Sequence, residues 1–561
     1  MDSEKLESTI AIDFGTTNSI ACIWRNGIIR VIPGDKQGGE GTESNIIPSF
    51  VEYTNNKTNV GRAAKTNFGK ENKFVVGAVK RIIGKTYKEC EENNIDKSIF
   101  GCEYVKGDDG YPYFIVSKEG KRVSPIEVAS EIFKEIKKRA EAFGGRKYHQ
   151  AYVSVPANFK NHEVKGIIMA ARMAGLEVLK SVTEPTAAAM SWCLDPNNKI
   201  ESGRMLVYDF GGGTFDVSLI QHYTNKGFQV VNTGGDPRLG GNDIDSALMK
   251  YLIKQYQNEH GDDIRDYIMN NRNKRNKYRS ECENVKILLT NGCEYDKDSS
   301  EFYKKNERIN QDLAFSSIKR EYEDINVTPR MLDETIERKI KKTIDHTENL
   351  LGLNEWFPGS VGYVFIVGGS SHLHLVKREL EHMFCFSKFP PIDVDEAVAT
   401  GVMRFLYNDC LKDKKNIEEK VVVSYGIDTK DGVALVLKRG HRLGTATNDV
   451  GIKPVEDAKQ IDTIVYQWEG NPKTLNTVEG VPIAPKEECI EIGHWCFRIS
   501  SPEKHYGIRF QLEQDGLLKT YLVEYGDKEN RVLSDQSVET KYGGMACFYV
   551  CFITFQLRNV I

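Results

Sequence analysis

Two short stretches of this chain place an acid directly before a glycine turn. Asp13-Phe14-Gly15-Thr16-Thr17-Asn18 and Asp209-Phe210-Gly211-Gly212-Gly213-Thr214 each lie between two apolar runs, 196 residues apart. Turns rich in Gly and Thr bring backbone N–H groups and hydroxyls close to a ligand, and Gly lacks the Cβ that would block a phosphate. A carboxylate beside a polyphosphate is repelled unless a hydrated Mg²⁺ lies between them. One such turn, alone, reads as an Asp capping its own backbone. Two matched copies point instead to a metal-bridged nucleotide held between two similar halves.

Other residues could complete that chemistry. Gly77-Ala78-Val79-Lys80-Arg81-Ile82-Ile83-Gly84-Lys85-Thr86 has the look of a P-loop, but the motif requires a preceding strand and Gly at position 79, where this chain has Val79. A P-loop is excluded. Lys80 could set a cation on a γ-phosphate or an attacking water, although a lone lysine is ordinarily a solvated surface residue. Glu184-Pro185-Thr186-Ala187-Ala188-Ala189 opens a helix with an early Pro and a small-residue face. Ala397 and Gly401 mark a second small-faced helix, so the two can cross closely, as a hinge or as rigid packing. Phe365-Ile366-Val367-Gly368-Gly369-Ser370-Ser371 is a third strand-to-glycine turn, read as opening a helix whose N-terminus suits a nucleotide.

The elements that must position these groups follow from periodicity. Strand-like runs (Ala151 to Val155, Val364 to Val367) alternate with helical patterns (Pro125 to Ala142, Val164 to Ala174, Val376 to Phe384), which indicates an α/β body around a central sheet. Asp243 to Leu351 is charged and carries i, i+3, i+4 apolar spacing, as a helical insertion would. Residues 409–420 are polar, rich in Lys and Glu, and read as a linker. Beyond it come short strand-like runs, Val421 to Ile427, Gly432 to Lys438, Thr463 to Trp468, Gly507 to Leu512 and Leu518 to Glu524, with Asp515-Gly516 as a hairpin signal. The expected domains are 1–408, α/β, and 421–561, all-β.

Composition narrows the function classes. The 561 residues allow three or four domains or subdomains, and 40% hydrophobic with 28% charged content is that of a folding chain. Lys+Arg 76 against Asp+Glu 80 gives a net charge of −4, so no overall basic field exists to hold a nucleic acid or an anionic membrane. Met1 to Ser8 has no apolar core of a signal peptide, which points to the cytoplasm. The run Met545 to Leu557 is 13 residues, too short to span a bilayer, and reads as a buried strand. The 12 cysteines form no CxxC pair, and Cys547 and Cys551 lack partners for a zinc site. Asn56 and Asn326 head glycosylation triplets that read as chance matches.

Taken together, the motifs resemble the seventy-kilodalton heat-shock chaperone family, within the actin and sugar-kinase ATPase fold. The resemblance covers residues 9 to 405 and rests on the two acidic turns, Val79 to Gly84, Val153-Ser154-Val155-Pro156-Ala157, Glu184 to Ala189, Leu239-Gly240-Gly241-Asn242-Asp243, Val367 to Ser370 and Asp395-Glu396-Ala397-Val398-Ala399. It implies a two-lobed, duplicated actin-like ATPase domain with a helical insertion, followed by a smaller all-β sandwich domain. It implies ATP or ADP with Mg²⁺, the metal held through water by Asp13 and Asp209. Gly15, Thr16, Thr17, Asn18, Gly211, Gly212, Gly213 and Thr214 would cradle the phosphates, with Gly240 and Gly241 beside them. Lys80 and Glu184 would position or activate the attacking water, in a catalytic set with Asp13, Asp209 and Thr214. Glu283, Lys286, Thr290, Gly368, Gly369, Ser370 and Asp395 would hold the adenosine, and Pro156 would be the switch between site and lobes. Such proteins also imply extended or unfolded polypeptide clients, a J-domain co-chaperone and a nucleotide exchange factor.

The chain departs from the family pattern at Ile287, where a second basic residue stacks on adenine, at Asn242, where an acid follows Gly-Gly, and at His372, where an arginine faces the base. The β half matches weakly. Val423 to Thr429, Gly432 to Gly440 and Ile508 to Val523 resemble parts of the substrate domain, but the Leu-rich linker is replaced by Leu411 to Lys420 and no lid helix follows the strands. The expectation is an ATP-dependent chaperone and slow ATPase with altered coupling between ATP state and client grip. The alternative is a nucleotide-dependent scaffold that binds ATP without folding peptide.

Overall fold

The computed structural model describes residues 3–35, 44–55, 57–93, 97–224, 227–261, 264–315, 323–411, 417–418, 421, 423–452, 454, 459–468, 475–478, 480–513, 518–525 and 531–537. These fall into two compact units, one of residues 1–158 and 166–416, the other of 159–165 and 417–561. Asp515-Gly516, Asn56, Met545 to Leu557 and most of the 409–420 stretch lie outside the described residues.

The first unit contains two sheets of one design. In the first, β1 (Thr9–Phe14), β2 (Asn18–Arg25) and β3 (Ile28–Val31) form an antiparallel meander, and β4 (Gln150–Val155) runs parallel to β1, with β5 (Glu177–Thr183) parallel beyond it. In the second, β6 (Gly203–Phe210), β7 (Phe215–Tyr223) and β8 (Gly227–Asp236) form the meander, and β9 (Tyr363–Val367) runs parallel to β6. The repeated sequence pattern is therefore a repeated topology. Ile10, Ala11 and Ile12 of β1, and Met205 to Tyr208 of β6, are all fully buried. Strands covered on both faces read as continuous apolar runs rather than alternation, which is why these were visible in the sequence.

Helix α1 (Pro125–Gly144) starts at Ser124, which accepts from Glu127 N while the Glu127 carboxylate accepts from Ser124 N, and stops at Gly145 with φ 70°. The insertion read at Asp243 to Leu351 is built on α3 (Gly241–His260), α4 (Arg272–Gly292) and α5 (Pro329–Leu353), with α2 (Glu184–Cys193) preceding it in the chain. Its apolar positions, among them Leu248, Leu252, Tyr278, Val285 and Ile336, share one cluster with the inner face of the second sheet. After it, α6 (Ala397–Asp409) crosses α2. A Cβ at Gly401 would sit 1.8 Å from the Ala187 carbonyl oxygen, so the two small-residue faces meet backbone to backbone.

One local expectation is modified. Gly368 adopts φ 85°, a conformation favouring Gly, but a 3₁₀ turn, Gly369–His372, intervenes before the helix His374–Met383 begins. The third glycine turn therefore does not open the helix directly.

The second unit is built of antiparallel sheets. One runs in the order Thr477–Val478, Val481–Ala484, Gly432–Leu437, Ser424–Thr429, Gln460–Trp468, Ile490–Arg498, and another in the order Val450–Ile452, Tyr506–Leu512, Leu518–Glu524, Arg531–Ser537. Tyr425, Val465 and Phe497 of the first share a core with Ile508, Phe510 and Leu522 of the second. Ile490–Arg498 escaped the sequence reading because Gly493 and His494 interrupt its apolar alternation. Among the described residues no helix is long and apolar enough to cross a membrane.

Candidate functional site

The two glycine turns end parallel features of the two sheets, and the first unit brings them against each other. A Cβ on Gly212 would lie 2.2 Å from Thr17 Oγ1, and one on Gly213 would lie 2.5 Å from Thr16 Oγ1. Any side chain at either glycine would push the turns apart. Gly240, at the start of α3, packs equally tightly, its Cβ position 2.6 Å from the Gly213 backbone, and Gly241 and Asn242 donate their N–H groups to the carbonyls of Gly211 and Gly212. The cleft so framed has a volume of about 180 Å³.

The chemical groups enter this cleft from four elements. Parallel register sets Val153 beside Ile12, and the next residue, Ser154, donates to Asp13 at 2.7 Å. Asp209 is the last residue but one of β6, and a Cβ on Gly368 would lie 2.6 Å from its Oδ1. Lys80 lies in the 3₁₀ turn Val79–Arg81, entered through Ala78 at φ 54°, and is 4% exposed. Read alone it would be a solvated lysine. The fold instead buries it and pairs it with Glu184, itself 7% exposed, at the first turn of α2. The next residue, Arg81, pairs with Asp243 of α3.

The electrostatics of this end are those of too many acids in too little water. Burial, then repulsion from Glu184, pushes the Asp13 carboxyl up to about 7. Asp216 is likewise pushed up to about 7, by burial and then Glu184. Asp209 is held well above the carboxylate range by burial, Glu184, Asp216 and Asp13 in that order. Lys80 opposes each shift but cannot neutralise four carboxylates.

The other end of the cleft is set by α4. Glu283, Lys286 and Thr290 recur at helical spacing on its cleft-facing side. Lys286 Nζ bonds Asp245 of α3 at 2.6 Å, Thr290 Oγ1 donates to Lys286 O at 2.8 Å, and Glu283 pairs with Lys65 at 2.9 Å. Ser370 Oγ donates to Gly211 O at 2.8 Å, and His372 Nε2 lies 3.2 Å from Asp395 Oδ2. Burial pushes the Glu283 carboxyl up, but Lys65 and Lys286, then Arg279, overcome it and bring it down to about 2. A carboxyl held below its unfolded value of 4.5 stabilises the fold above that value, and the contribution is lost as pH falls towards 2. Lys65→Met is therefore expected to move the acid-unfolding midpoint upward, followed by circular dichroism between pH 5 and 2. An unmoved midpoint would mean the pair does not link these elements.

Of the residues singled out from the sequence, Asp13, Gly15, Thr16, Thr17, Asn18, Lys80, Glu184, Asp209, Gly211, Gly212, Gly213, Thr214, Gly241, Glu283, Lys286, Gly368, Gly369, Ser370 and Asp395 all line this one cleft. Gly240 lies behind Gly213, and Thr290 lines the outer cavity that continues from it. Asn242, Asp245 and Ile287 line the cleft itself. Asn242 accepts at 3.0 Å from Arg279, so the residue after the Gly-Gly pair is tied to α4. Sequence reasoning assigned no role to Ser154, Asp216 or Asp245. Asp216 stands two residues past the second turn motif, and Asp245 one turn of helix past Gly241.

A family model described as Hsp70 protein matches residues 9–474. With that match over most of its length, the chain belongs to the Hsp70 family, whose members are ATP-dependent chaperones built on an actin-like ATPase fold.

Proposed function

We propose that the chain binds ATP and ADP with Mg²⁺ in this cleft, hydrolyses ATP slowly, and couples nucleotide state to the binding of unfolded or extended polypeptide. In this reading residues 1–408 form the two-lobed ATPase domain, 409–420 the linker and 421–561 a β-sandwich that takes the client. The observation that carries it is the pair of acidic glycine turns packed face to face, with the buried Lys80–Glu184 pair beside them.

The donor set fits a divalent cation that keeps its water shell. Asp209 and Asp216 are buried and Asp13 half-buried, and the carboxyls of all three are pushed up by burial and mutual repulsion, which a divalent cation would relieve. Asp13 and Asp209 would hold Mg²⁺ through its water shell. When bound, the metal would neutralise phosphate charge and fix the polyphosphate in place.

The protein's own groups do the remainder. Gly211, Gly212 and Gly213 leave room for backbone N–H groups to approach phosphate oxygens, and Thr16, Thr17 and Thr214 add hydroxyls. Lys80 sets a fixed cation where charge develops on the transferring phosphoryl group, and Glu184, held by Lys80, orients the attacking water and accepts its proton. Positioning and charge are most of what phosphoryl transfer to water requires.

Single-turnover ATP hydrolysis with and without an apolar peptide tests the reading. Peptide-stimulated turnover is expected. Tight MgATP binding without turnover would make the chain a nucleotide-dependent scaffold instead. Asp209→Asn adds a second check. Burial raises the Asp209 carboxyl, so its charged form costs stability as pH rises above the unfolded value of 3.8. The variant is expected to melt higher than wild type at pH 8 without nucleotide, and to lose about 100-fold in Mg²⁺-dependent ATP affinity or turnover. Unchanged Mg²⁺ dependence would remove Asp209 from the metal site.

A further inference from the structure

Each glycine turn has a carbonyl held from outside the turn by a serine hydroxyl. Ser49 Oγ donates to Gly15 O at 2.8 Å, and Ser370 Oγ donates to Gly211 O at 2.8 Å. Gly15 and Gly211 occupy the same place in the two turns, each two residues after the acid. The serines themselves come from unlike segments. Ser49 follows the short strand Ile47–Pro48, which pairs with Asn18 and Ser19 of β2, whereas Ser370 lies in the 3₁₀ turn Gly369–His372. Both are buried. A hydroxyl has one hydrogen to give, so Ser19 Oγ, 2.9 Å from Ser49 Oγ, is the donor to Ser49, and Ser49 the donor to Gly15. Ser49 N also donates to Thr17 O at 2.8 Å. In the second turn Gly241 N shares Gly211 O with Ser370, and Asn242 N donates to Gly212 O.

In a trans peptide the C=O and the following N–H point in opposite directions. Holding the carbonyls of Gly15, Thr17, Gly211 and Gly212 therefore sets the direction of the N–H groups of Thr16, Asn18, Gly212 and Gly213, and all four of those residues line the cleft. Glycine makes such a hold necessary. Without a Cβ, a peptide beside Gly turns over at little cost, and the reversed peptide would aim its oxygen at an anionic phosphate. We propose that Ser49 and Ser370 are positioning residues for the phosphates, matched across the two halves, which keep the N–H groups of both glycine turns presented to the nucleotide. The proposal rests on the nucleotide reading above and adds to it how the cradle is held in shape. A preset row of N–H groups meets the phosphates of substrate and product alike, so its loss weakens binding and leaves the chemical step almost untouched.

Calorimetric titration of the full chain with MgADP, beside single-turnover hydrolysis over a range of MgATP concentrations, tests this. Ser49→Ala and Ser370→Ala are each expected to raise the MgADP dissociation constant and the half-saturating MgATP concentration by about tenfold, with the rate at saturation within about threefold of wild type. Ser49→Thr keeps the hydroxyl and should restore MgADP affinity to within about threefold. A loss in Ser49→Thr equal to that in Ser49→Ala would assign the effect to packing and overturn the proposal. So would MgADP affinity within about twofold of wild type in both alanine variants, or a fall in the saturated rate at unchanged affinity, and either result leaves the nucleotide site standing. Failure of the wild-type chain to bind MgADP overturns the nucleotide reading itself. Circular dichroism checks that each variant is folded, and if Ser49→Ala is not, Ser370→Ala carries the same measurement on the second turn.

Discussion

Lys80→Ala is expected to lower single-turnover ATP hydrolysis by about a thousandfold while changing MgADP affinity by less than about tenfold. Lys80 lies in a buried 3₁₀ turn, ion-paired with Glu184 and flanked by Asp13 and Asp209. A cation there is worth most when negative charge builds on the transferring phosphoryl group and least when the diphosphate product is bound. That difference separates turnover from product affinity. The same substitution strips Glu184 of its counter-ion, and leaving a buried charge uncompensated costs about 3–5 kcal/mol. Lys80→Ala combined with Glu184→Gln removes both charges and should recover most of the lost stability without recovering activity. Thermal melts of the two variants distinguish the folding effect from the chemical one. Turnover within tenfold of wild type in a folded Lys80→Ala protein would exclude Lys80 from the reaction.

Gly401→Ala is expected to destabilise the first unit by about 3 kcal/mol, and Gly401→Val to leave little folded protein at 37 °C. Alanine in a helix interior is intrinsically better than glycine by about 1 kcal/mol, so propensity alone predicts a gain. The crossing reverses the sign. The added Cβ would lie 1.8 Å from the Ala187 carbonyl oxygen and 2.5 Å from its carbon, backbone atoms that can yield only if α2 and α6 separate. Around them Ala187, Ala188, Ala397 and Met403 are completely or almost completely buried, so parting the helices opens space with nothing to fill it. Because α2 begins at Glu184, the displacement should also reduce turnover. A Gly401→Ala protein with wild-type melting temperature and wild-type activity would contradict the close crossing.

These two residues mark different depths of legibility. The small-residue spacing at Ala397 and Gly401 announced a close helix crossing, because only the absence of side chains permits one. The sequence also pointed to the Glu184 to Ala189 helix as the partner, and the structure set Gly401 against the Ala187 carbonyl. At Lys80 the local sequence pointed the other way. A lysine followed by arginine reads as surface, yet three separate elements surround it and supply Glu184 as counter-ion. In the β unit, Gly432–Leu437 and Leu518–Glu524 were visible through their apolar runs. Gly493 and His494 hid a neighbouring strand whose pairing partners compensate for its weak local preference.

Much was therefore legible in the chain's linear order: the two acid–glycine turns, their strands and the helical insertion that follows the second of them. Those features depend on neighbours a few residues apart, where turn geometry and burial on both faces of a strand leave a direct mark on residue choice. Tertiary structure alone decided the rest. It seated Ser154 on Asp13 across a parallel register, joined Lys286 to Asp245 between two helices, and tied Ser370 to the Gly211 carbonyl. Each of those pairings joins residues far apart in the sequence. Charge neutralisation in a desolvated cleft depends on which groups are close in space, and the order of residues along the chain does not carry that information.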